Sequence, residues 1–108
     1  MDYFDYKNGQ LYCEGVPVAD IASEVGTPVY IYSARTLLEH YHRVAQAFSE
    51  LDTTLCYSVK SLGNLSILKL LAAEGAGFDV VSGGELARVR AIGGDPKNVV
   101  FAGVGKTD

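Results

Sequence analysis

Cysteine is scarce in this 108-residue chain: there are two, Cys13 and Cys56. They are too few for a disulfide scaffold, and their wide separation matches no zinc-binding spacing. A reducing, cytoplasmic setting is the simplest expectation. Basic residues are also in short supply, with 9 Lys+Arg against 13 Asp+Glu and a formal net charge of −4. A nucleic-acid partner usually demands a basic face, so this balance argues against one. No apolar run approaches the ~20 residues of a membrane span, so no membrane partner is expected. The first residues, Met1-Asp2-Tyr3-Phe4-Asp5, have neither the basic nor the apolar region of a secretory signal. What the chain does have is 48% hydrophobic residues, too many for a disordered tail.

The first 32 residues read as extended pieces around one short helix. Tyr3 to Tyr6 and Leu11 to Cys13 are strand-like and flank the turn signal Asn8-Gly9. Pro17 opens an amphipathic helix over 18–25, with Ile21, Ala22 and Val25 on one face, and Gly26 ends it. The β-branched and aromatic run Val29-Tyr30-Ile31-Tyr32 predicts a strand. Tyr3, Tyr6 and Tyr12 read as packing residues.

From residue 33 the rhythm alternates. Ser33 is a candidate N-cap for the longest helix, about 33–51, whose apolar residues Leu37, Leu38, Tyr41, Val44, Ala45, Phe48 and Leu51 recur at the helical period. Thr54 to Lys60 predicts a strand. Asn64 caps a helix to Glu74, ended by Gly75. Phe78 to Val81 predicts a second strand. Ser82-Gly83-Gly84-Glu85 is a capping box opening a helix to Ile92, and Val99 to Ala102 predicts a third strand. Alternation of this kind means parallel strands with helices packed outside. An open doubly wound sheet and part of a (β/α)8 barrel both fit. A closed barrel takes ~250 residues, so in the second case this would be its opening portion. The chain stops on a strand and turn residues, where a βα series normally continues, so it reads as cut short.

Two positions could carry chemistry. Lys60 ends a predicted strand just before a βα loop, the edge where parallel α/β folds build their sites. Strand alternation would place Thr54, Cys56, Ser58 and Lys60 on one small, polar face. A partly buried lysine there would be a nucleophile for a carbonyl. The alternative is a lysine reaching to solvent from a strand end. Asp79 interrupts the apolar strand Phe78-Asp79-Val80-Val81. A carboxylate buried there needs a partner, and Lys60 on the neighbouring strand would balance its charge. The alternative is an exposed aspartate at a strand start.

Other features have local explanations. Glu85 reads as the capping partner of Ser82. Gly83-Gly84 could form an anion-binding nest, although paired glycines more often make a turn. Gly105-Lys106-Thr107 resembles the end of a phosphate-binding loop, but that motif requires glycine where Val100 stands. His40 and His42, two apart on a helix, face different directions and cannot chelate one metal.

The run Tyr57-Ser58-Val59-Lys60-Ser61-Leu62-Gly63-Asn64 resembles the cofactor-lysine segment of the fold-type III pyridoxal-phosphate decarboxylases. Gly77 to Leu86 and Val100 to Thr107 are similar to the next strands of the diaminopimelate decarboxylase branch. Leu11 to Val16 and Gly26 to Ser33 match its N-terminal segments. That family commonly reads Tyr-Ala-Val-Lys-Ala-Asn around its lysine; here Ser58, Ser61 and Leu62 stand in place of Ala, Ala and Asn. The resemblance implies an α/β fold: the opening portion of an alanine-racemase-like (β/α)8 barrel over residues 33–108. Residues 1–32 would belong to a separate β domain completed later in the chain. It implies pyridoxal 5′-phosphate as cofactor, Lys60 as the amine that condenses with its aldehyde, and Asp79 beside that lysine and the cofactor ring. The implied reaction is decarboxylation of meso-2,6-diaminopimelate to L-lysine and CO2 by a homodimer. The expected partner is therefore a small amino-acid substrate. The phosphate-gripping glycines and the interfacial substrate residues would come later, so residues 1–108 alone are expected to be inactive. Alternatives are an ornithine- or carboxynorspermidine-type decarboxylase, a non-catalytic pyridoxal-phosphate-binding barrel, and a flavodoxin-like module.

Overall fold

The computed structural model describes residues 2–107. They divide into two compact units, one up to His42 and the other from Arg43 onward.

In the first unit, β1 (Phe4–Lys7), β2 (Gln10–Cys13) and β3 (Val16–Pro17) form an antiparallel sheet in that order. Phe4 pairs with Cys13 and Lys7 with Gln10, so Asn8-Gly9 is a two-residue hairpin loop, as its sequence predicts. Pro17 is the N-cap of α1 (Val18–Val25), one position earlier than the first helical residue, and Gly26 is its C-cap. α2 (Ala34–Ala47) begins at Ser33, whose hydroxyl oxygen accepts the Thr36 N–H at 3.0 Å. The same hydroxyl donates to Glu14 at 2.8 Å, and the Arg35 N–H donates to the same carboxylate oxygen at 3.0 Å. Together they hold the Glu14 carboxyl below its usual range, the Arg35 N–H contributing most. A negative charge at a helix N-terminus is also where the helix dipole favours it. Of the three tyrosines read as packing residues, Tyr3 is half-buried beneath the Arg35 guanidinium and donates to Glu39, but Tyr6 is 76% exposed.

Two expectations fail here. Val29–Tyr32 is not a strand. Propensity favours extension, but a strand exists only with a ladder partner, and none of the described residues pairs with it. The long helix ends at Ala47 rather than near residue 51, and none of its residues is buried. Phe48 and Leu51 fall beyond it, the latter 63% exposed, so the apolar period ran past the helix.

The second unit carries a three-stranded parallel sheet, β4 (Cys56–Ser58), β5 (Gly77–Val80) and β6 (Val99–Phe101), in sequential order. α3 (Leu65–Ala73) and α4 (Gly83–Ala91) connect the strands. Asn64 caps α3 by accepting from the Ser66 and Ile67 N–H groups. Both helices stop the same way. Gly75 and Gly93 take positive φ (86° and 74°). Ala76 then donates to Leu71 and Gly94 to Val89, the crossed bonds of a Schellman motif.

The strands sort their side chains by pairing. Tyr57, Phe78, Val80, Val99 and Phe101 face the helices and pack with Val59, Leu68 and Val89 in one core. Phe78, Leu68, Val59, Val80 and Val89 are essentially inaccessible, the kind of burial that contributes roughly 1.5–3 kcal/mol per side chain. The opposite face carries Cys56, Ser58, Gly77, Asp79 and Val100. Helices on one face and small or polar side chains on the other is the layout of the first βα units of a barrel.

Candidate functional site

Lys60 does not lie on a strand. β4 ends at Ser58, and Val59–Ser61 form a turn of 3-10 helix. This corrects the alternating face expected for 54–60. Val59 is 1% exposed and drops into the core, a burial that outweighs continued extension. The turn displaces Lys60 from the Cys56–Ser58 face and leaves it exposed, against the partly buried lysine the sequence suggests. Its amine has no hydrogen-bond or ion-pair partner among the described residues.

The loop that carries the lysine is held by three hydrogen bonds. Ser61 Oγ donates to the Ser58 carbonyl at 2.6 Å, and Tyr57 Oη donates to the Leu62 carbonyl at 3.1 Å. Arg88, from α4, donates to the Gly63 carbonyl at 3.0 Å. Lys60, Leu62, Gly63, Asn64, Glu85 and Arg88 line an open cleft of about 430 Å³.

Asp79 lies on β5 in register with Ser58. Its partner is Ser58, whose Oγ donates to Oδ2 at 2.8 Å, and not the lysine expected from the sequence. The lysine left the strand face; the serine stayed on it. The second carboxylate oxygen, Oδ1, is buried and has no partner. Burying an acceptor unsatisfied costs about 1–3 kcal/mol, so such an atom marks a place for a donor.

The remaining assignments are local. Ser82 accepts the Glu85 N–H at 3.1 Å, and Glu85 accepts in return from Val81 at 2.8 Å, one residue before the cap. Gly83 and Gly84 are the first turn of α4. His40 and His42 are exposed on α2. Sequence reasoning missed two contributors. Ser58 was legible as a residue on the Asp79 side only once strand register was known. Arg88 gave no local signal at all, since its carbonyl partner lies 25 residues away.

An unpaired amine on a βα loop and a half-satisfied carboxylate on the next strand suit a carbonyl cofactor. Residues 34–108 match the family of pyridoxal-dependent decarboxylases, over its pyridoxal binding domain. The chain belongs to that family. Among its relatives, the diaminopimelate decarboxylase of Vibrio cholerae is 52% identical over 109 residues, covering 100% of this chain and 26% of the relative. That of Pseudomonas aeruginosa is 49% identical over 107 residues, covering 99% of this chain and 26% of the relative. The crystal structure of the M. jannaschii diaminopimelate decarboxylase with L-lysine superposes with a TM-score of 0.90 at 36% identity, over 98% of this chain and 26% of that one. The chain thus spans about a quarter of the length of these relatives. The α/β fold, as the opening portion of an alanine-racemase-like barrel, stands as expected. No helix among the described residues is long and apolar enough to cross a membrane.

Proposed function

We propose that this chain is the lysine-bearing opening of a pyridoxal-phosphate-dependent diaminopimelate decarboxylase, which converts meso-2,6-diaminopimelate to L-lysine and CO2. The observation that carries the reading is the pair formed by Lys60, an unpartnered amine on a pinned loop, and Asp79, a carboxylate with one buried oxygen unsatisfied on the adjacent strand. The names of the relatives support the substrate. The residues fit the cofactor at its aldehyde end: Lys60 and Asp79 would hold it there.

When bound, pyridoxal phosphate supplies an aldehyde carbon that an amine can capture and a ring that takes up the electron pair left by departing CO2. Lys60 would contribute the amine that captures that carbon. The pinned loop holds the Lys60 backbone still, so little ordering remains when the site fills. Asp79 would contribute an acceptor near the aldehyde end of the cofactor. The chain's own apolar layer, Phe78, Val80 and Phe101, backs the strand that carries Asp79 and keeps water from its far side.

The reading includes a boundary at 32/33, supported by a family match that begins at residue 34. Residues 1–32 then contribute to a β domain and 33–108 to the barrel. It also includes a homodimer in the cytoplasm, where the free thiols of Cys13 and Cys56 are at home.

The test uses the full-length protein. It should show a bound-cofactor absorbance band that disappears in Lys60→Ala, and CO2 release from meso-diaminopimelate in preference to ornithine and carboxynorspermidine. Residues 1–108 alone should release none. A band that survives Lys60→Ala removes the assignment of the lysine. Preference for ornithine moves the protein to another branch of the family.

A further inference from the structure

We propose that Ser58 is a positioning residue for the cofactor site: it clamps one oxygen of Asp79 so that the other is reserved for a donor at the Lys60 end of the bound cofactor. This rests on the functional reading above and adds a residue to it. Ser58 and Asp79 are register partners on neighbouring parallel strands, so both side chains leave the sheet on the same face. The Ser58 hydroxyl donates to Oδ2 at 2.8 Å, an ordinary length for a hydroxyl hydrogen bond. Oδ1 is left buried and without a partner.

A carboxylate can turn about its last side-chain bond and exchange its two oxygens. With one oxygen held by a hydroxyl from a rigid strand, that rotation is opposed. The carboxylate then meets an incoming donor already aimed, and the entropy of fixing it is not lost during binding. Alanine at position 58, the residue the resemblance leads one to expect, has no donor for this. The device is therefore a feature of this chain's own sequence.

The experiment measures cofactor affinity, not turnover. The full-length protein and the variants Ser58→Ala, Ser58→Thr, Asp79→Asn and Ser58→Ala/Asp79→Asn are stripped of cofactor. Each is then titrated with pyridoxal phosphate, following the absorbance of the bound form. Ser58→Ala should weaken binding about tenfold, the scale of one lost hydrogen bond. Ser58→Thr keeps the hydroxyl and should bind within about twofold of the parent on the same scale. In the Asp79→Asn background, Ser58→Ala should add little, because the group it acts through is gone. A purely structural role would cost the same in both backgrounds and would overturn the proposal. So would parent-like binding by Ser58→Ala. If the parent itself shows no lysine-dependent absorbance, the functional reading fails and takes this inference with it. If Lys60→Ala abolishes the band but Ser58→Ala is silent, only the inference fails.

Discussion

Replacing Gly77 by alanine tests the close approach on which the sheet is built. A Cβ at this position would lie 2.6 Å from the Asn98 carbonyl oxygen, 2.8 Å from Cys56 Sγ and 3.2 Å from Thr54 Cγ2. The first two distances are far inside contact. The thiol can rotate away, but the carbonyl belongs to the turn Pro96–Asn98 that launches β6 and cannot. Relief therefore requires β5 to shift against β6. Forcing a methyl into packed surroundings costs typically 1–3 kcal/mol. Replacing glycine restricts the unfolded chain and returns only ~0.4–1 kcal/mol. The steric effect wins, and Gly77→Ala should be destabilising by about 1–2 kcal/mol on these scales. Gly84→Ala is the control. Its nearest neighbour beyond the adjoining residues is Ser82 Oγ at 3.8 Å, ordinary contact, and the site is helical. It should be neutral or stabilising by up to ~1 kcal/mol. The assay is urea unfolding of the full-length protein followed by circular dichroism, comparing midpoints at unchanged slope. Adding Cys56→Ala to Gly77→Ala should recover less than half of the loss, because the carbonyl clash remains. A Gly77→Ala variant as stable as the parent, or full recovery on removing the thiol, would refute the close-approach argument.

Three further outcomes are expected. Leu68→Ala empties the centre of the core, where the side chain is fully inaccessible, and should cost about 2–5 kcal/mol in the same unfolding assay. Asn64→Ala removes the cap that accepts two N–H groups at the start of α3 and should cost ~1 kcal/mol, with Asn64→Asp largely neutral. The Glu14 carboxyl is held below its usual range by the Arg35 N–H and the Ser33 hydroxyl. Its contribution to stability is present above the ordinary carboxylate value and is lost as pH falls through the depressed one. The thermal midpoint should therefore fall on acidification through that window, and Glu14→Gln should flatten the fall; an unchanged profile would count against the assignment.

Helices were legible where short-range chemistry marks their ends. The cap at Asn64, the box at Ser82 and Glu85, and the stops at Gly26 and Gly75 all act within five residues, and α1, α3 and α4 appear where those signals put them. The strands were legible as types but not at their edges. The chemistry of Lys60 and Asp79 could be suspected from a cation closing one predicted strand and an anion interrupting the next, yet their mutual contact could not be settled that way.

Local sequence therefore determined the alternation of strands and helices after residue 54, the boundaries of α1, α3 and α4, and the two residues on which a cofactor reading rests. Only tertiary structure decided that Val59 sinks into the core and throws Lys60 off the strand. It also paired Asp79 with Ser58 and left Val29–Tyr32 without a ladder. The physical reason is common to all three. Caps and stops are settled by neighbours along the chain, whereas burial and strand register are settled by partners 20 or more residues away, and those exist only after the chain has folded.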